Sequence, residues 1–596
     1  MTGQPTMRPV TFGGCFGWLH LPAGGRAATG LVLCNPFGNE ALCVHRGWRD
    51  FAESVTVACG MPVLRFDYPG TGDSEGDEED PERFRAWVDS IIAAAEYLRT
   101  ATGVTRLALC GLRLGATLAA VAAEQLANVD SVILMAPIIS GKRYIRELRM
   151  QDLSCVKALA GQDAKQSPEE APGVGALGFR MYADTLDQLA SIDLTERQRR
   201  PAPRVLLHDI GVSESLNKLA QYYRGHGASA DLQIFPEYDK FLLPDPTFCV
   251  PPRLAFDSVL EWLGAQCGTT AAPSVEILQP PADTRIDFAA GHEIPVVFGN
   301  GRYVGVICKP RNPNEHAPAV LIMNTAGVHR VGCARHSVLM ARRLAAQGIT
   351  SLRMDVGGVG DSVNHDGAPT IEAVYARHAV ADAIAGVEWL IAARHPEIVM
   401  FGVCAGAYVS VHTTLKHPNV VGCMSINLPF FFWGAPTTKA RAPSQVYMRS
   451  VRNPRKWLLL LTGRSDLRRI AVSLIRRWYE RSAVRRLLAD LERRDVRTSL
   501  VYGPLDAGLD ELPKAGYLGT YKNVTMTVLE QLDHSLYSRT ARDVVSNYVE
   551  AFLHERTFPV GRANVPDHQS ARTASLNERA GWRPTSATGA HMARPD

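Results

Sequence analysis

A chain of 596 residues is too long for one ordinary domain, so two or more are expected. Its net charge of +4 excludes the strong basic excess of a dedicated nucleic-acid binder. With 46% apolar and 21% charged residues it reads as a globular protein with large cores, which excludes disorder, collagen and coiled coil as the dominant class.

In chain order, Met1 to Val10 is polar, carries Pro5 and Pro9 and lacks the apolar run of a signal peptide. Apolar stretches such as Ser131–Ser140 and Trp457–Leu461 fall short of the ~18 residues that cross a bilayer. The 12 cysteines include no C-x-x-C pair and read as buried or reactive thiols, not as a disulfide framework or a zinc site. The cytoplasm is the expected location, with no metal and no cofactor.

The chain states one plan twice. Leu64-Arg65-Phe66-Asp67-Tyr68-Pro69-Gly70-Thr71-Gly72-Asp73-Ser74 returns as Leu352-Arg353-Met354-Asp355-Val356-Gly357-Gly358-Val359-Gly360-Asp361-Ser362. The run ending at Asn35 returns at Asn324, and Gly111-Leu112-Arg113-Leu114-Gly115-Ala116 returns as Gly402-Val403-Cys404-Ala405-Gly406-Ala407. Three anchors in one order at nearly constant spacing imply a tandem duplication. The expected domains are 10–265 and 275–556, joined through the Gly/Thr/Ala/Pro-rich stretch Gly268–Pro273, with a disordered polar tail over 558–596.

In the second copy Ala319–Met323, Thr350–Met354, Glu397–Phe401 and Gly422–Ile426 read as buried strands. Helical patterns at Val338–Gln347, Ile371–Ala393 and Ala405–Leu415 lie between them, and such alternation predicts an α/β fold with a mostly parallel sheet and helices on both faces. Between strand and helix stands Gly402-x-Cys404-x-Gly406, a G-x-nucleophile-x-G elbow with Cys in place of Ser. The small flanking residues let neighbouring backbone approach a sharp turn, and the sulfur sits at a helix N-terminus, where the dipole favours an anion.

A base and an acid follow in the order such a site requires. His534 lies in a loop after the strand-like Val524–Leu529, and Asp506 lies after Ser499–Tyr502, with Asp510 in reserve. The backbone N–H of Ala405 and one from Ala326 or Gly327 are the expected oxyanion hole. A G-x-C-x-G alone is a weak signal; the parts in order, each at a strand end, make Cys404–His534–Asp506 the candidate catalytic triad. In the first copy the matching positions are Arg113, Lys240 and Val212, none of which can do the corresponding chemistry, so that half is expected to be a degenerate scaffold. The functional alternative is that Arg113 binds an anionic group.

The segments CNPFGNE, LRFDYPGTGDSEG, CGLRLGA and APIISGKRYIREL, and in the second half NTAGVHRVG, LRMDVGGVGDS and LDAGLDEL, resemble serine aminopeptidase-like α/β-hydrolases found alongside exosortase and exopolysaccharide systems. The resemblance implies two α/β-hydrolase domains, an eight-stranded sheet with a helical cap in each, and metal-free acyl hydrolysis or transfer. Cys404 departs from the usual Ser and is similar to the choice made by polyhydroxyalkanoate synthases and dienelactone hydrolases. A Cys nucleophile gives a thioester intermediate, which favours esters and thioesters, small or carrier-bound, over unactivated amides. The alternatives are a non-catalytic scaffold or binding protein, and a simple carboxylesterase or peptidase.

The expected cap, about 428–498, opens with the aromatic run Leu428-Pro429-Phe430-Phe431-Phe432-Trp433. From Lys439 to Arg497 it carries 17 Lys and Arg against five acids, a field suited to steering an anionic substrate. The apolar stripe of Leu467–Leu488 fits packing on the hydrolase core, with peripheral membrane contact the alternative.

Overall fold

The computed structural model describes residues 5–23, 28–160, 173–211, 213–264, 276–363, 374–375, 377–432, 482–506, 508–509 and 521–555. Both halves lie in one compact unit, Met1–Glu550. The first half supplies β1 (Thr6–Phe12), β2 (Cys15–Leu21), β3 (Thr29–Cys34), β4 (Val63–Phe66), β5 (Arg106–Leu112), β6 (Val129–Met135), the hairpin β7 (Val174–Ala176) and β8 (Phe179–Met181), β9 (Arg204–Asp209) and β10 (Ser229–Ile234). With β11 (Glu276–Ile277) they form a sheet of order β10-β9-β6-β5-β3-β4-β2-β1-β11, the hairpin standing apart. Strands β3, β4, β5, β6, β9 and β10 pair in parallel, and β2 runs antiparallel to its neighbours.

Side chains alternate across this sheet as the pleat demands. Val32, Leu109 and Leu134 face a core with Trp87 and Ile91 of the helix Arg83–Thr102 and with the small-residue helix Leu114–Ala123. Leu31, Leu33, Ala108 and Ile133 face the other way, onto Trp48 and Phe51 of Asn39–Ala58 and Phe256 and Val259 of Arg253–Trp262. Each large apolar side chain so buried contributes ~1.5–3 kcal/mol of transfer energy.

The second half repeats the design with β12 (Ile286–Phe288), β13 (Gly291–Phe298), β14 (Tyr303–Pro310), β15 (Ala319–Ile322), β16 (Ser351–Met354), β17 (Ile398–Val403), β18 (Val420–Ile426), β19 (Arg497–Tyr502) and β20 (Val524–Val528), ordered β12-β13-β14-β16-β15-β17-β18-β19-β20. The four strands expected from β-branched runs lie within a residue or two of their predicted bounds. The helices His336–Ala346, Arg377–Ala392 and Ala405–Thr414 stand where periodicity places them. The expected count of eight strands is corrected to nine per sheet, because a short strand is added at one edge of each: β11 on β1 and β12 on β13. Two tandem α/β-hydrolase folds result. The expected disordered tail and most of the expected cap, 433–481, lie outside the described residues.

The halves meet through the repeated Leu-Arg-x-Asp…Gly-Asp-Ser segment, and the contacts are reciprocal. Arg65 of the first half pairs with Asp361 of the second, and Arg353 of the second with Asp73 of the first. This is the pattern of a twofold interface, in which residue i meets j and j meets i. Arg330 lies at the centre, 2.8 Å from Asp73, 2.7 Å from Asp355 and 2.9 Å from Asp361. The guanidinium of Arg335 donates to the carbonyls of Gly72 and Gly76 at 2.8 and 2.7 Å, while the rings of His45 and His329 stack at 3.8 Å. Met7, Phe16 and Trp18 pack with Val297 and Val304 beside this network.

Candidate active site

Strand β17 ends at Val403 and a helix starts at Ala405, so Cys404 must make the whole turn between them. It does so at φ 54°, ψ −115°, backbone that an L-residue adopts at a cost of ~1–3 kcal/mol. The turn is held by the Cys404 N–H donating to Ile426 O at 2.9 Å. It is allowed by the glycines: a Cβ on Gly402 would sit 2.2 Å from Gly406 backbone, and one on Gly406 2.6 Å from Asn324 O. Cys404 is partly exposed, whereas Cys308, Cys333 and Cys423 of the same half are buried. Ala405 occupies the first helical position, where an N–H has no partner within its own helix.

His534 and Asp506, distant in sequence, meet at the ends of β20 and β19. His534 Nδ1 lies 2.6 Å from Asp506 Oδ2, and Cys404 is its other polar neighbour. The Asp506 side chain is 1% exposed and the imidazole 48%. Burial would lower the His534 pKa, but the hydrogen bond to Asp506 and the interactions with Cys404 and the Asp506 charge outweigh that and hold it well above the ordinary histidine value. With Nδ1 committed to the carboxylate, Nε2 is the nitrogen left for the sulfur. Asp506 is itself fixed by the Gly508 N–H on its Oδ1 at 2.8 Å. Asp510 lies outside the described residues.

Two residues of this site escape sequence reading. Asn427, fully buried at φ 51°, ties the two loops together: its Nδ2 donates to the carbonyls of Asp533 and His534 at 2.9 and 3.0 Å, and its Oδ1 accepts the Gly503 N–H at 2.9 Å. A polar residue ending the apolar run Gly422–Ile426 is the signal that could have found it. Tyr375, 5% exposed, brings its hydroxyl to 3.7 Å from the sulfur and its ring to 4.7 Å from Phe430. Nothing in the sequence around it marks it.

The loop expected to complete the oxyanion hole turns at Ala326, whose φ is 49°. Gly327 sits beside it, but its N–H donates to Thr247 Oγ1 of the first half at 3.2 Å, which leaves Ala326 as the better second donor. A Cβ on Gly327 would come within 2.9 Å of Thr247 Cα, so the glycine serves the contact between halves.

The first half keeps the elbow and changes its occupant. Arg113 has φ 55°, ψ −120°, its N–H donates to Met135 O at 2.9 Å, and Gly111 and Gly115 approach as closely as Gly402 and Gly406 do. Its guanidinium pairs with Glu40 at 3.2 Å and with Glu147, and lies over the Tyr144 ring. Burial opposes the charge, but the two carboxylates hold the Arg113 pKa above its ordinary value. The cation is thus neutralised within its own half.

Lys240 is exposed on the short helical turn Tyr238–Phe241. Val212 lies outside the described residues, and the strand register corrects its assignment. His208 pairs with Met135 as Val501 pairs with Ile426, which sets Ser213, not Val212, opposite Asp506. The sequence alignment missed this by one residue because the two strand ends share no side chain to fix it. Ser213 has no carboxylate and caps the helix Glu214–Gly225, accepting the Leu216 N–H at 3.2 Å.

Of the expected aromatic run, Phe431 is buried and Phe430 packs on Tyr375 and Tyr408; Phe432 is 46% exposed, and Trp433 lies outside the described residues. Among the described residues no cluster of His, Cys, Asp or Glu could hold a metal, and no helix is long and apolar enough to cross a membrane.

Residues 44–162 match the model of a family described as serine aminopeptidase, S33; they include the Arg113 elbow. A search of the curated proteins found no match. Similar solved structures include a putative α/β-hydrolase from Agrobacterium tumefaciens, 14% identical over 44% of this chain and 96% of that one, TM-score 0.27. An α/β serine hydrolase homologue from Coxiella burnetii is 12% identical over 45% and 99%, TM-score 0.29. A dienelactone hydrolase from Anabaena variabilis is 13% identical over 45% and 96%, TM-score 0.27.

Proposed function

We propose that this α/β-hydrolase protein is a Cys-dependent enzyme that cleaves or transfers acyl groups from esters or thioesters, with one working site per chain. The observation that carries the reading is His534, hydrogen-bonded to the buried Asp506 carboxylate and lying near enough to Cys404 at the elbow to feel its charge. The sulfur of Cys404 attacks the carbonyl carbon while its proton resides on His534. The developing oxyanion is met by the N–H of Ala405 and that of Ala326. On collapse the carbon–oxygen or carbon–sulfur bond breaks, His534 delivers its proton to the leaving group, and the acyl group remains as a thioester on Cys404. Water or another nucleophile, deprotonated by His534, then releases the acyl group. Asp506 keeps the imidazole in the tautomer that faces the sulfur.

In this reading the chain arose by duplication, and the first half has become a partner fold, its nucleophile position filled by an internally paired arginine. The basic span Lys439–Arg497 draws in an anionic acyl donor, such as an acidic carrier or a CoA-type thioester. Intact-mass measurement after incubation with an aryl ester and an acyl thioester tests the mechanism. One acyl group on wild type and none on Cys404→Ala is expected. No adduct, or an equal adduct on the variant, overturns the mechanism and favours a scaffold.

A further inference from the structure

A second pair of thiols lies outside the site described above. Cys43 is in the helix Asn39–Ala58, and Cys249 closes the short turn Pro246–Phe248; the two backbones run within 8 Å of each other, Cα to Cα. The contact is built: Asn39 Nδ2 donates to Pro244 O at 3.1 Å, one turn of helix before Cys43. Both sulfurs converge on one residue. The Cys43 thiol donates to Leu243 O at 3.1 Å, the Leu243 N–H donates to Cys249 Sγ at 3.4 Å, and that sulfur lies 4.0 Å from the same Leu243 O.

Their environments differ in the way a dithiol needs. Cys43 is buried and Cys249 partly exposed. The neighbouring Cys43 thiol, helped by the Leu243 N–H and opposed by burial, holds the Cys249 thiol below its ordinary pKa, while the neighbouring Cys249 and burial push Cys43 up. Both line a cavity of about 50 Å³ between the halves, together with Thr247, Gly327 and His329. That volume admits an oxidant of a few atoms and is well below the roughly 300 Å³ at which substrate pockets begin.

We propose that Cys43 and Cys249 form an oxidisable dithiol site whose oxidant is a small hydroperoxide. The Cys249 sulfur attacks the peroxide, the O–O bond breaks, and water (an alcohol from an organic peroxide) leaves as Cys249 becomes a sulfenic acid. The Cys43 sulfur then attacks the Cys249 sulfur. The S–O bond breaks, and the departing hydroxide takes the Cys43 proton as water. Two thiols and one hydroperoxide give one disulfide, one water from the second step, and one water or alcohol from the peroxide, the sulfurs supplying the two electrons. The new bond closes on the turn that carries Thr247, whose Oγ1 holds the Gly327 N–H beside the candidate oxyanion loop. This last consequence rests on the proposed function; the dithiol itself does not.

The test uses the full chain with Cys404→Ser, which removes the rival nucleophile and makes the result independent of any acyl chemistry. The protein is treated with stoichiometric hydrogen peroxide, its free thiols are alkylated, and its peptides are mapped by mass spectrometry. The expected result is a Cys43–Cys249 cross-linked peptide two hydrogens lighter than the separate peptides, in excess of any other cysteine pair and reversed by dithiothreitol. In the further variant Cys43→Ser the sulfenic acid on Cys249 persists and is captured by dimedone. Full alkylation of both thiols after peroxide, or cross-links distributed without preference among the cysteines, overturns the proposal.

Discussion

Replacing Arg330 by methionine tests whether the two halves are held as one unit by their shared ionic centre. The guanidinium is 1% exposed and touches Asp73, Asp355 and Asp361. Without it Asp73 keeps Arg353, and Asp361 keeps Arg65 and His45. Asp355 keeps only hydrogen bonds: Asn324 Nδ2 at 3.1 Å and the N–H groups of Arg330 and Asp361 at 2.6 and 3.2 Å. Stranding one buried carboxylate costs ~3–5 kcal/mol. Arg330→Met is therefore expected to lose ~3–5 kcal/mol at pH 7 relative to wild type. Urea unfolding measures this from the shift in midpoint. A loss under ~1 kcal/mol would show that the three carboxylates do not depend on this guanidinium.

Asn427→Ala removes the donors to the carbonyls of Asp533 and His534; a loss of ~1–3 kcal/mol by urea unfolding and slower acylation of Cys404 by stopped-flow are expected. Arg113→Ala leaves the partly exposed Glu40 without its cation, so a loss of ~1–3 kcal/mol is expected in the same unfolding assay, with the acylation rate of Cys404 unchanged at temperatures where the variant is folded. Burial pushes His336 down to about 3 and His208 down to about 4. A lowered folded pKa means that the unfolded chain takes up protons first as pH falls. The stability these two contribute is thus complete above about pH 6.5 and drains below it, by about 1.4 kcal/mol per pH unit for each histidine. His336→Gln should flatten the fall between pH 6.5 and 4.5, as read by urea midpoints.

The architecture was legible because both halves state it: apolar runs bounded by turns at one spacing place the strands, and glycines at 402 and 406 suit a turn as tight as that of Cys404. That Cys404, His534 and Asp506 lie near one another was legible for a related reason, since each follows a strand and strand ends in a parallel sheet converge. What escaped depends on contacts between segments far apart in sequence. Asn427 acts through two carbonyls more than 100 residues away, and Tyr375 meets Cys404 from 29 residues upstream. Gly327 looked free to donate, and only the seating of the first half on the second shows Thr247 at its N–H. The reciprocal ion pairs were written in the repeat itself, but a motif found twice does not say that its two copies face each other.

Active-site titration counts the working nucleophiles in a chain with two hydrolase folds. Pre-steady-state release of nitrophenolate from a nitrophenyl ester should show a burst of one equivalent per chain, absent in Cys404→Ala and greatly slowed in His534→Ala. A burst of two equivalents, or one that survives the loss of Cys404, would contradict the account.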